Sequence, residues 1–381
     1  MYLGRIQIER SVALSALGVA WFWGFAALFL TLGTVHALPE LAAALMGIVV
    51  GALLCVQLVG GRVELGFAPL GTLLMSFFVW QLNDTEGGSV FWRYASLAGV
   101  GLGGGLFVVP LYAFAQQNMR HQALGWLAAL TLILSALMVL LLLSIDLGLE
   151  RLGLGLQRRQ FILALGNVAV ALYIYKQAPE FFIRLLLWVL TRVMYRIQTE
   201  GVHKVPLDGP AVLVCNHVSF MDPLIIGASL PRPARFVMYH KIFKLPLVHL
   251  FFKAVKAIAI APAKEDPAML EEAYRRIAAE LDEGHLVVIY PEGSITFDGE
   301  IQAFRSGIER ILARNPVPVY PMALRGVWGS WFSRYRGQAL KGLPRRFRAR
   351  IRIIVGDEIA PENATASRLE QCVRALRGPY R

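Results

Sequence analysis

Six apolar runs occupy the first 177 residues, roughly 11–35, 39–60, 66–82, 92–116, 123–147 and 159–177. A hydrocarbon core takes about 20 apolar residues per helix, so each run is a candidate membrane span. The third and sixth are the shortest. A chain with this pattern folds as a helical bundle in a bilayer, because only closed backbone hydrogen bonding survives there. Composition agrees: 56% of residues are hydrophobic and 17% charged, where soluble chains average about 25% charged. Basic residues in the connections set orientation. Arg5, Arg10, Arg62 and Arg120 fall on one side if both ends face the cytoplasm, and Glu40, Asp84 and Glu86 on the other. Arg158 and Arg159 are the exception. The first run lacks the flanks of a cleavable signal peptide.

Charge is unevenly divided. Residues 1–175 carry 8 Lys+Arg and 7 Asp+Glu, whereas residues 176–381 carry 30 and 19. Net charges of +1 and +11 make up the total of +12. A basic region beside a membrane region points to anionic lipid or phosphate-bearing substrates. No nucleic-acid motif is present, and an apolar tether argues against that partner. Cys55, Cys215 and Cys372 have no paired spacing, so neither a disulfide framework nor a zinc site is expected.

Residues 178–200 form the linker. Arg184, Arg192 and Arg196 recur at multiples of four among Phe, Leu, Trp and Val. They share one face of a helix, the pattern of a helix lying in the membrane interface. A seventh span is the alternative, and its arginines make it costly. Beyond Gly201 the pattern changes to short apolar runs at 211–215, 235–238, 257–261, 286–290, 317–320 and 350–355. Near-continuous apolar runs suit strands buried on both faces. Helical spacing lies between them, clearest from Asp266 as N-cap and Pro267 to about Gly284. Alternation of this kind predicts an α/β domain over 201–381.

The strand 211–215 runs into Asn216–His217–Val218–Ser219–Phe220–Met221–Asp222–Pro223. Open α/β sheets place ligands at such strand ends. An Asp bonded to one imidazole nitrogen leaves the other free as a base. A turn before Pro223 brings His217 and Asp222 together; Asp222 as N-cap of the following helix is the structural alternative. The strand 286–290 ends in Tyr290–Pro291–Glu292–Gly293, followed by Phe304–Arg305–Ser306–Gly307 and the Pro-containing strand 317–322.

In this order and spacing, these motifs resemble the glycerol-phosphate and lysophospholipid acyltransferase family over about 200–330. The stretches ARFVMYHKIFKLPL, AIAIAPAKEDPAML and FRSGIERIL are similar to the acyltransferase module fused to a bacterial lysophospholipid transporter. The stretches GVAWFWGFAALFL, GGRVELGFAPLG and GGGLFVVPLYAFAQ make residues 1–177 resemble the C-terminal half of such a major-facilitator transporter. The matching N-terminal half is absent, which leaves transport by this chain unexpected.

The resemblance implies His217 as general base for a glycerol hydroxyl and Asp222 as its orienting partner. It implies Asn216, Glu292 and Gly293 in the substrate-binding motifs. Arg305 is the candidate phosphate contact, because a guanidinium binds two oxygens; an i,i+4 pair with Glu309 is its alternative. Lys264 stands where the family carries an Arg, and Ser294–Ile295 where Thr–Arg is common. The expected donor is acyl-CoA or acyl carrier protein, with no metal and no cofactor. The acceptor is a lysophospholipid at the cell (inner) membrane, with the acyltransferase domain cytoplasmic. A lysophospholipid transporter or flippase module with an attached acyltransferase is the second reading. The basic stretch 334–352 suits anionic lipid, donor phosphates or a solvated face. His203, His240, His249 and His285 are expected to be structural.

Overall fold

A computed structural model describes residues 2–32, 37–59, 65–83, 89–117, 124–177, 179–244, 252, 255–337, 339–340, 343 and 345–380. Arg62, Asp84, Glu86, Arg120 and His249, used above, lie outside these residues. The chain forms two compact units, one over Gly4–Phe182 and one over Ile183–Arg381.

The first unit contains α1 (Tyr2–Thr31), α2 (Leu38–Val59), α3 (Phe67–Asn83), α4 (Val90–Gln117), α5 (Leu124–Arg151) and α6 (Leu156–Gln177). These coincide with the six expected runs. Four of them, α1, α2, α4 and α5, are long and apolar enough to cross a membrane. The α3 helix is shorter, and α6 opens on Arg158 and Arg159. The spanning windows of α2 and α5 are 17% buried, against 61% for α1 and α4. The former therefore present their Leu, Val and Ile side chains outward, as lipid-facing helices do.

Glycines explain the packing of α4. A Cβ on Gly101 falls 1.9 Å from the Ala44 carbonyl oxygen, and one on Gly47 falls 2.0 Å from that of Ala98. On the α3 side, a Cβ on Gly103 lies 2.6 Å from the Gly71 oxygen. The backbones are thus in contact, the small-residue packing that replaces hydrophobic driving force in lipid. Polar pairs also tie helices of this unit together. Arg93 Nε meets Glu40 Oε1 at 2.7 Å, and Trp21 Nε1 donates to Asn167 Oδ1 at 2.8 Å. Arg159, the exception in the charge pattern, pairs with Asp146 at 2.8 Å.

The second unit begins within α7 (Pro179–Met194). Its sheet runs β1-β7-β6-β2-β5-β3-β4. The strands are β1 (Tyr195–Glu200), β2 (Ala211–Cys215), β3 (Ala234–Tyr239), β4 (Ile258–Ile260), β5 (Leu286–Ile289), β6 (Val319–Arg325) and β7 (Ala349–Val355). Neighbours from β6 to β4 are parallel, β7 is antiparallel to β6, and β1 is parallel to β7. Helices α8 (Asp222–Ser229), α9 (Pro267–Asp282), α10 (Gly307–Arg314) and α11 (Ala366–Arg377) complete the unit.

Each central strand feeds two cores. Leu213 and Cys215 join Ile225, Ile226 and Leu230 around α8. Val212 and Val214 join Ile277, Leu281, Ile308 and Leu369 on the opposite face. Asp266 caps α9 as expected, its side chain accepting the Met269 N–H at 2.9 Å.

One expectation fails. Residues 195–200 do not continue the helix; they form β1, in register with Ala349–Ile354. Arg196 is therefore on an exposed strand face, not on the face of Arg192. Tyr195 and Ile197 are buried while Arg196 and Gln198 are exposed, a period-2 pattern too short to stand out beside the helical one that precedes it.

Candidate active site

The carboxyl ends of β2 and β5 lie side by side, because the two strands are parallel and paired from Ala211 with Leu286 to Val214 with Ile289. The residues after each strand therefore meet. Asn216 leaves β2 with its side chain buried. Its Nδ2 donates to the Leu324 carbonyl at 3.1 Å, and its Oδ1 accepts the Leu324 N–H at 2.8 Å. The amide thus extends β2 onto β6 and anchors the next residue.

His217 is held at every backbone group. Its N–H donates to Glu292 Oε1 at 2.7 Å, and its carbonyl accepts the Thr296 N–H at 3.0 Å. Its ring stacks on Tyr290, with centroids 4.2 Å apart and planes 18° from parallel. Nδ1 lies 2.9 Å from Asp222 Oδ2.

The Asp222 side chain is fully buried. It accepts the Val218 N–H at 2.6 Å, the Ser219 N–H at 2.9 Å and the Ser219 hydroxyl at 2.7 Å. Asp222 does not cap α8: its bonds run back into the turn that precedes it. Asp222 Oδ2 accepts at every one of these contacts, so His217 Nδ1–H is the donor to it. The lone pair is then on Nε2, to which no described residue bonds. With 18% of the side chain exposed, that nitrogen can reach a substrate.

Glu292 is buried, and both its oxygens are used on backbone. Oε2 accepts the Gln302 N–H at 2.8 Å, so the side chain ties the His217 turn to the 300–304 loop. Burial pushes its carboxyl up to about 7, against the two backbone bonds that favour the anion; the nearby Asp222 adds to the rise.

Gly293 has φ +74, and a Cβ there falls 2.7 Å from Arg305 Cζ. The guanidinium therefore lies directly over this glycine. Arg305 is exposed, and its main-chain N–H donates to the Pro291 carbonyl at 3.0 Å. The alternative pair with Glu309 does not form, because Glu309 Oε1 accepts the Ala366 N–H at the start of α11.

His217, Asp222, Glu292, Gly293 and Arg305 are thus brought together. Lys264 lies in an exposed turn after β4, at the same carboxyl edge of the parallel strands as His217 and separated from β2 by β5 and β3. Its neighbour Glu265 is engaged by Tyr239 Oη at 2.8 Å and Lys241 Nζ at 2.8 Å, and His240 Nε2 approaches it at 3.1 Å. Sequence reasoning gave no role to Ser219, Thr296 or Gln302, which hold the dyad through one hydroxyl and three backbone N–H groups. Hydroxyl residues within four positions of a motif carboxylate were the available signal.

Among the described residues, one trio has metal-ligand spacing: Glu280, Glu283 and His285. It lies at the opposite, amino end of the strands. Arg235 Nε already pairs with Glu280 Oε2 at 2.8 Å. Burial alone raises the Glu280 carboxyl, but bonds from His285 and Arg235 outweigh it and hold it at about 2. A guanidinium in that position does not fit a bound cation. Cys55, Cys215 and Cys372 are free.

Residues 196–325 match the acyltransferase family. The chain is 32% identical over 134 residues to the chloroplastic 1-acyl-sn-glycerol-3-phosphate acyltransferase LPAT1 of Arabidopsis thaliana, covering 35% of this chain and 36% of that one. It is 22% identical over 142 residues to the 1-acyl-sn-glycerol-3-phosphate acyltransferase of Borreliella burgdorferi, covering 37% and 55%. The chain thus spans between a third and rather more than half of these relatives. The crystal structure of a 1-acyl-sn-glycerophosphate acyltransferase from Thermotoga maritima aligns with a TM-score of 0.41 at 16% identity, over 52% of this chain and 80% of that one.

Proposed function

We propose that this protein is a membrane-bound O-acyltransferase that esterifies the free glycerol hydroxyl of a lysophospholipid. The observation that carries the reading is the bond from His217 Nδ1 to the buried Asp222 carboxylate, which leaves Nε2 as the base at the carboxyl edge of β2. Nε2 takes the proton of the acceptor hydroxyl as its oxygen attacks the thioester carbonyl of the donor. The tetrahedral intermediate collapses with cleavage of the C–S bond, and the thiolate takes the proton back from the imidazolium. An ester and a free thiol result, with no covalent enzyme intermediate. Asp222 stabilises the imidazolium while it lasts. The donor is acyl-CoA or acyl carrier protein.

Arg305 binds the acceptor phosphate, since it is exposed beside Gly293 without a described carboxylate partner. The names of the relatives support an acceptor of the 1-acylglycerol-3-phosphate type; a 2-acylglycerophosphoethanolamine acceptor fits the same chemistry. Helices α1 to α6 all cross the cell (inner) membrane, and both ends are cytoplasmic. They form a bundle like half of a major-facilitator transporter and act as anchor. What supports anchoring over lysophospholipid transport is that Gly101, Gly103 and Gly105 are used in helix contacts.

The test is acyl transfer by protein reconstituted in liposomes, comparing wild type with His217→Ala. Loss of a positioned general base removes about 10²–10⁴-fold. Activity of the variant above a few per cent of wild type removes His217 from the role.

A further inference from the structure

The connection between β6 and β7, residues 326–348, carries six Lys and Arg and no Asp or Glu. It borders the His217 turn directly. Phe220 N–H donates to the Phe332 carbonyl at 3.2 Å, and Ser219 forms a β-bridge with Ser333. Arg334 Nη1 donates to the Ile295 carbonyl at 3.1 Å, and its guanidinium lies 4.3 Å from the centre of the Phe297 ring. Phe297 follows Thr296, whose N–H holds the His217 carbonyl.

Large apolar side chains stand out among these charges. Phe297 is 72% exposed, Leu343 85% and Phe347 65%. A soluble surface gains nothing from this mixture, since each ring or isobutyl group in water forfeits its burial. The interface of a bilayer accommodates both parts: apolar groups enter the acyl boundary and arginines meet anionic headgroups. Phosphates of a free donor account for the arginines alone. Continuity supports the same occupant. Arg348 N–H donates to the Met194 carbonyl at 2.7 Å, joining this connection to the end of α7. There Leu186, Val189, Leu190 and Val193 are all exposed, at the i, i+3, i+4, i+7 spacing of one helix face.

We propose that Phe297 and the β6–β7 connection, with Leu343, Phe347, Arg334 and Arg336, dock on the anionic bilayer surface beside α7. Docking seats the rim of the His217 site in the interface, so that the lysophospholipid acceptor reaches Nε2 without crossing water. This last consequence rests on the acyltransferase reading; the docking itself does not.

The experiment uses the full chain in lipid nanodiscs of phosphatidylcholine alone or with anionic phosphatidylglycerol. In a Cys372→Ser background, Phe347→Cys is labelled with an environment-sensitive dye, and Glu272→Cys on α9 serves as comparison. Quenching by brominated acyl chains reads depth. The expected result is quenching at 347 at least threefold that at 272 in anionic discs, and reduced in neutral ones. Equal quenching at the two positions overturns the proposal, as does a dye response at 347 to added coenzyme A without lipid quenching. Quenching at 347 that ignores lipid charge overturns the role of the arginines.

A second measurement takes Leu343→Ser/Phe347→Ser. Its KM for a bilayer-embedded lysophospholipid is expected to rise at least tenfold, with turnover of a detergent-dispersed short-chain acceptor within twofold of wild type. Unchanged KM with embedded acceptor refutes acceptor entry at this rim. If wild type transfers no acyl group, the catalytic reading fails while dye quenching still decides the docking.

Discussion

Replacing Asp222 by Asn separates the charge of the dyad from its geometry. The carboxylate uses Oδ2 for His217 Nδ1, Val218 N–H and Ser219 N–H, and Oδ1 for the Ser219 hydroxyl. An Asn with its carbonyl at the Oδ2 position keeps the first three bonds. Its amide then meets Ser219 Oγ, which can accept instead of donate. The turn and the imidazole tautomer survive, and the negative charge does not. An imidazolium and a carboxylate about 4 Å apart interact by about 4 kcal/mol at an effective dielectric of 20, or about 10³-fold in rate. Partial solvation of the ring lowers this, so a 10²–10³-fold fall in kcat is expected. KM stays within about threefold, and Tm within about 3 °C, the shift for about 1 kcal/mol in a unit of this size. Asp222→Ala is the contrast: it strands buried N–H groups at about 1–3 kcal/mol each and lowers Tm markedly. The assay is steady-state transfer in liposomes beside thermal unfolding of the same preparations. Asp222→Asn retaining more than a third of wild-type kcat refutes the argument and leaves Asp222 as a brace for the turn.

Three further outcomes follow from the same geometry. Glu292 has its carboxyl raised to about 7 by burial, so the fold favours its protonated form; its contribution is complete below about pH 4.5 and is lost as pH rises through 7. Wild type should lose on the order of 2–3 kcal/mol more than Glu292→Gln between pH 5 and 8, and parallel stability curves in chemical unfolding would count against this. Arg305→Ala is expected to raise KM for a phosphate-bearing acceptor at least tenfold with kcat within threefold; an unchanged KM removes it as the phosphate contact. In the helical unit, Gly101→Leu places a side chain where the Ala44 carbonyl already sits, and overpacking costs about 1–3 kcal/mol or more. Folded yield in detergent should fall sharply, while Gly125→Ala, with nothing within 4 Å of the new Cβ, should leave it unchanged.

Local chemistry determined most of the elements. Apolar length placed the six helices, because a long apolar run without turn residues satisfies its backbone hydrogen bonds within itself as a helix. Continuous apolar runs placed six strands of the sheet, and Asp266–Pro267 marked the start of α9. The sequence also carried the residues of the site, since NHxxxxD and YPEG each lie on one short loop. Their meeting was a tertiary outcome. Parallel pairing of β2 with β5 sets the two loops side by side, and no local signal states which strands will pair. The same holds for Glu292, whose bonds go to the backbone of residues 75 and 10 positions away. Lys264 likewise takes its place from strand order, which sets β4 at the edge with β5 and β3 between it and β2. Residues 195–200 became β1 only because β7 offered an open edge, a partner some 150 residues distant in sequence. What a residue prefers is written in its neighbours along the chain; what it touches depends on the free energy of the whole packed sheet.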